Sequence, residues 1–183
     1  MISHKLKLIF IHIPKTGGTS LVTKLDNYHS DKYYNKNHLN MKYYIEKYPK
    51  LLIKNYYKIT IVRNPFDRLV SWWFYCKSLN LNEGKMTFKE FIIHRKGSTQ
   101  LKYLFDENNN ITIDKIIRFE NYQHEINELF KKCNLDIKMD IHTLKTNTNR
   151  KHYSYYYDEE CINLVNTFFK EELDLFNYKF ERK

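Results

Sequence analysis

Short runs of β-branched and other apolar residues recur along the chain. Each run stops at a turn-forming group and is followed by apolar positions at helical spacing. The first, Leu6 to Ile13, ends at Pro14 and the pair Gly17-Gly18, which predicts a buried strand closed by a tight loop. Leu21, Leu25 and Tyr28 follow at helical spacing, with Thr19 or Ser20 able to cap the first turn. Tyr57 to Val62 predicts a second buried strand. Asn64-Pro65 then starts a helix on which Phe66, Leu69, Val70 and Trp73 share one face. Two strand, loop, helix units in succession predict an α/β fold, a three-layer domain with a central parallel sheet flanked by helices and joined by right-handed crossovers.

The same reading extends to the end of the chain. Lys115 to Phe119 predicts a third strand, and Ile126, Leu129, Phe130 and Cys133 mark a helix, as do Cys161, Leu164, Val165 and Phe168. Residues 29 to 56, rich in Tyr, Asn, Lys and His, read as a mobile, substrate-side segment with a short helix around Met41 to Tyr48 ended by Pro49. Phe88, Phe91 and Ile92 suggest another short helix between turn-like stretches. No linker interrupts the pattern, so residues 1–183 are expected to form a single domain.

With 42% hydrophobic and 16% aromatic residues the chain can fill a core, which excludes a disordered class. Its net charge of +10 favours anionic partners. The positive residues are scattered and no helix-turn-helix, zinc-finger or RNP-like pattern accompanies them, so nucleic acid is not expected as a partner. Cys76, Cys133 and Cys161 are odd in number and form no Cys-x-x-Cys pair, which suggests neither a disulfide framework nor a zinc site. No stretch approaches the roughly 20 apolar residues of a membrane span and no secretory leader is evident, so a soluble, cytoplasmic protein of microbial or viral origin is expected.

Chemistry concentrates where the first strand meets its helix. Lys15, Thr16, Gly17, Gly18, Thr19 and Ser20 combine a full positive charge, close backbone approach and three hydroxyls with the N–H groups of a helix start. These are the parts of a phosphate cradle. Lys15 precedes the glycines, unlike the lysine of G-x-x-x-x-G-K-[ST], and the loop does not read G-x-G-x-x-G.

Ile11 to Ser20 resembles the 5′-phosphosulfate loop of sulfotransferases that use 3′-phosphoadenosine 5′-phosphosulfate (PAPS). Ile61-Val62-Arg63-Asn64-Pro65-Phe66-Asp67-Arg68-Leu69-Val70-Ser71 resembles the same family's 3′-phosphate motif. The resemblance implies a P-loop-like sulfotransferase fold, with Arg63 and Ser71 on the donor's 3′-phosphate and Arg150 and Lys151 of a late basic loop closing on it. A guanidinium suits that task because it can grip phosphate with two parallel hydrogen bonds. Arg118-Phe119-Glu120-Asn121 is similar to the family's strand-end segment, and Asp174 to Tyr178 to the final segment of its glycan-type branch.

Implied with it are PAPS as donor, 3′-phosphoadenosine 5′-phosphate as product, no metal, and a hydroxyl acceptor of saccharide type that can itself be anionic. Lys15 would stabilise the leaving phosphate. In glycan-type relatives a histidine lies between the two donor motifs, and His38 matches that position as the base, with His29 and Glu46 as further candidates. His12 reads as structural, and Trp72 and Trp73 as core rather than as an adenine platform. A P-loop kinase or NTPase, and a non-catalytic nucleotide- or glycan-binding module, stay open as alternatives. Oligomeric state is not legible.

Overall fold

The structure is a computed structural model that describes residues 1–28, 30, 38–139 and 150–183. Along the chain lie β1 (Ile2–Ser3), β2 (Leu8–Ile11), α1 (Gly18–Lys24), α2 (Met41–Lys47), α3 (Lys50–Asn55), β3 (Tyr57–Val62), α4 (Pro65–Ser78), α5 (Phe88–His94), β4 (Lys115–Arg118), α6 (Tyr122–Lys132), α7 (Glu159–Phe168) and α8 (Lys170–Phe176). The fold is α/β, and the chain divides into two compact units, Met1–Val62 with Gln100–Lys145 and Arg63–Thr99 with Thr146–Lys183.

The first unit holds a four-stranded mixed sheet in the order β1-β2-β3-β4. β2, β3 and β4 run parallel, with Ile11 opposite Thr60 and Val62 opposite Arg118. β1 adds to β2 in the antiparallel sense, so the expected central parallel strands carry one antiparallel strand at the edge. All four residues of β2 and the last five of β3 are buried. Burial on both faces explains why β2 reads as an unbroken apolar run rather than an alternating one, while β3 carries the polar Lys58 and Thr60 among its buried residues. The one hydroxyl in the middle of β3, Thr60 Oγ1, donates to Ile11 O at 2.9 Å and so carries no unpaired polar cost. Leu21 of α1 and Leu25 at its end, Ile117 of β4, and Ile126 and Phe130 of α6 complete a core with Phe10, Ile59 and Ile61.

Three local expectations need correction. β2 is shorter than Leu6 to Ile13. α1 is capped by Gly17 with no side-chain hydrogen bond, not by Thr19 or Ser20. A further helix, α3, follows Pro49. Most of 29–37, where a mobile segment was expected, lies outside the described residues.

The second unit is helical. Asn64 Oδ1 accepts from Phe66 N at 3.1 Å, Asn64 Nδ2 donates to Lys179 O at 2.9 Å, and Pro65 occupies the first turn of α4. Asn64-Pro65 thus sets the helix start by capping. Thr87 and Glu90 cap α5 reciprocally. Phe66, Leu69, Val70, Phe91, Val165 and Phe169 are buried together, and a turn at Tyr153–Tyr156 brings Tyr153 against Phe66 and Phe180. Among the described residues no helix is long and apolar enough to cross a membrane.

Candidate functional site

In the first unit, the loop after β2 bends through left-handed backbone at Lys15 (φ 66°) and again at Gly17 (φ 86°). Turns of this kind gather successive N–H groups into an anion-binding hollow. A β-carbon at Gly17 would meet the Phe119 ring at 2.9 Å and the Tyr122 ring at 3.1 Å. One at Gly18 would lie 2.2 Å from Cδ2 of His12 and 2.9 Å from Cζ of Phe10. Gly17 is therefore demanded both by backbone shape and by the rings against it, and Gly18 by the rings alone.

Tyr122 Oη donates to Gly17 O at 3.0 Å, and burial holds its phenol well above the ordinary range, so it stays protonated as a donor. Thr16 is fully buried and donates from Oγ1 to Ile13 O at 2.9 Å. Its hydroxyl shapes the loop instead of facing outward. Lys15 and Ser20 are half-buried and Thr19 is exposed, which leaves these side chains at the loop's accessible face.

His38 lies beside this loop. Its Nδ1 is 3.0 Å from His12 O, and since a carbonyl oxygen only accepts, Nδ1 carries the proton and Nε2 keeps its lone pair. Burial lowers the His38 pKa, the His12 carbonyl raises it, and the positive charge of Lys15 lowers it, with a net shift below 6.5. The His12 ring stands edge-on to His38 with centroids 4.5 Å apart. Its own pKa is lowered to about 3, by burial first, then by the charges of His38 and the amino terminus. His12 is a neutral structural ring, as read from the sequence. Of the rival bases, Glu46 is exposed on α2 and His29 lies outside the described residues.

In the second unit, Arg63 is 5% exposed and donates from Nε and Nη2 to Asp67 Oδ2 at 2.8 and 2.6 Å. Arg150 donates from Nη2 to Asp67 Oδ1 at 2.8 Å. Burial pushes the Asp67 carboxyl up, but Arg63 and then Arg150 outweigh it and hold the group below the usual carboxylate range. Two guanidiniums and one carboxylate leave this corner with one net positive charge. Ser71 lies one turn beyond Asp67 on the same side of α4 and is half-buried. Lys151 is exposed, and its ammonium stands 5.3 Å from the Tyr155 ring.

Trp73 donates from Nε1 to Met86 O at 3.0 Å and packs on Phe88, while the Arg95 guanidinium lies 4.1 Å above Trp72. Both indoles are engaged in packing, in keeping with a core role. Sequence reasoning missed Tyr122 and the clamp of His12 on Gly18, and neither carries a signal in the sequence. Asp67 stands at i,i+4 from Arg63, a spacing that allows the ion pair between them. Among the described residues no group of three or more His, Cys, Asp or Glu side chains could hold a metal ion.

A model of the sulfotransferase family matches residues 1–179. Comparison with curated proteins gives no match. Among solved structures, that of the mouse sulfotransferase SULT7A1 complexed with PAP superposes with a TM-score of 0.56 at 16% sequence identity, covering 93% of this chain and 86% of that one. The parallel strands, the glycine loop after β2 and the capped start of α4 agree with a match that spans nearly the whole sequence: the chain belongs to the sulfotransferase family.

Proposed function

We propose that the enzyme moves the sulfuryl group of PAPS to a hydroxyl of a carbohydrate. The loop of Lys15, Thr16, Gly17, Gly18, Thr19 and Ser20 would take the 5′-phosphosulfate. Arg63, Ser71, Arg150 and Lys151 would take the 3′-phosphate. The observation that carries this reading is the loop itself: left-handed at positions 15 and 17, without room for a β-carbon at Gly17 or Gly18, and bearing a lysine. The PAP in the structural neighbour supports the choice of donor.

In the reaction His38 Nε2 takes the acceptor's proton as its oxygen attacks sulfur. The new O–S bond forms in line as the S–O bond to the 5′-phosphate breaks, and the electron pair leaves with 3′-phosphoadenosine 5′-phosphate. Lys15 and the loop N–H groups meet the charge that grows on the leaving oxygen. The charge of +10 supports an anionic saccharide as acceptor. Incubation with radiolabelled PAPS and a panel of neutral and acidic glycans tests the proposal. Label should pass to a saccharide hydroxyl without added metal. Transfer only to small phenols would overturn the acceptor class, and failure to bind PAPS would overturn the donor.

A further inference from the structure

We propose that Asp67 is a positioning residue for the donor's 3′-phosphate, a clasp that holds the guanidiniums of Arg63 and Arg150 side by side as one anion seat. The inference rests on the donor reading above and assigns the residue on which recognition of that phosphate depends.

The carboxylate gives each oxygen to a different arginine, Oδ2 to Arg63 and Oδ1 to Arg150. Arg63 and Asp67 are one turn apart at the start of α4, so that arm of the clasp follows from the backbone. Arg150 is 83 residues away in sequence and is tied to the corner by its bond to Asp67. Two guanidiniums brought this close repel one another, and the carboxylate between them offsets that repulsion. Arg150 Nη1 is buried and has no hydrogen-bond partner among the described residues. A buried donor without an acceptor is costly, and a phosphate oxygen would satisfy it. The corner keeps a net positive charge after Asp67 is counted, which suits an anion.

The test is calorimetric binding of adenosine 3′,5′-bisphosphate and of adenosine 5′-phosphate to the full chain and to Asp67→Asn. The wild-type protein should prefer the bisphosphate. Asp67→Asn should lose about tenfold or more of that preference while its affinity for the 5′-phosphate stays within about twofold. In turnover, KM for PAPS should rise and kcat should hold, because Asp67 touches no reacting atom. Asp67→Glu, which restores the charge on a longer arm, should fall between the two.

If instead the carboxylate merely competes with phosphate for the arginines, Asp67→Asn will bind the bisphosphate as well as or better than wild type. That result overturns the clasp and leaves the donor reading standing. A wild-type protein with no preference for the bisphosphate overturns both. Should Asp67→Asn fail to fold, Asp67→Glu decides alone, and unchanged discrimination there ends the proposal.

Discussion

The main-chain carbonyl of His12 stands 3.0 Å from Nδ1 of His38. A backbone oxygen cannot change protonation, so it fixes the His38 tautomer whatever the solution does, and leaves Nε2 bare for a proton. His38→Ala should remove most transfer activity and leave donor affinity nearly unchanged, since the side chain is not part of either phosphate corner. Parallel rate and binding measurements check this. A fully active variant would reject His38 as the base.

Acid should act on rate and stability with the same sign. A base must be neutral, and burial and the Lys15 charge lower the His38 pKa, so the acid-side loss of kcat should come at lower pH than for an ordinary imidazole. His12 is lowered to about 3 in the fold, against about 6.5 in an unfolded chain. Between those values the unfolded state binds the extra proton, and stability declines as pH drops, by up to about 1.4 kcal/mol per pH unit. Asp67, depressed in the fold, adds a loss at still lower pH, where its carboxylate is protonated. Urea unfolding at pH 7.5, 6 and 5 should show the decline; equal stability at all three would contradict the buried neutral His12.

Gly18→Ala places a methyl 2.2 Å from one ring atom of His12 and 2.5 Å from another. The ring is bounded by Phe10, stacked at 5.5 Å, so it has little freedom to withdraw. The variant should lose about 1–3 kcal/mol of stability, with the His38 contact disturbed as His12 shifts. Thermal unfolding together with the pH profile of the rate would register both effects.

Lys15→Ala should slow sulfuryl transfer by about 100-fold or more, the usual effect of deleting a group that meets developing charge. Single-turnover kinetics at saturating donor isolate the chemical step. A rate within threefold of wild type would assign that charge to the loop N–H groups alone.

What could be read beforehand was whatever is encoded locally. β3 and α4 follow from a buried apolar run and the Asn64-Pro65 signal within one short stretch. The loop after β2 was legible for the same reason. β1 was not, because two residues carry no period and their pairing depends on β2. α3 buries none of its residues and so leaves no apolar stripe to detect. At α1 the hydroxyls of Thr19 and Ser20 offered a plausible cap, and a left-handed glycine took the place instead. The clasp between Asp67 and Arg150 and the seat of Tyr122 on Gly17 join residues far apart in sequence, and composition or spacing holds no trace of them.

The left-handed backbone at Lys15 sets stability against chemistry at a single position. Any residue with a β-carbon pays roughly 1–2 kcal/mol for that shape, whereas glycine adopts it freely. Breeding this enzyme for heat resistance alone would therefore reward replacing the lysine by glycine, and on the role proposed for Lys15 the sturdier protein so obtained would turn over about 100-fold more slowly or worse.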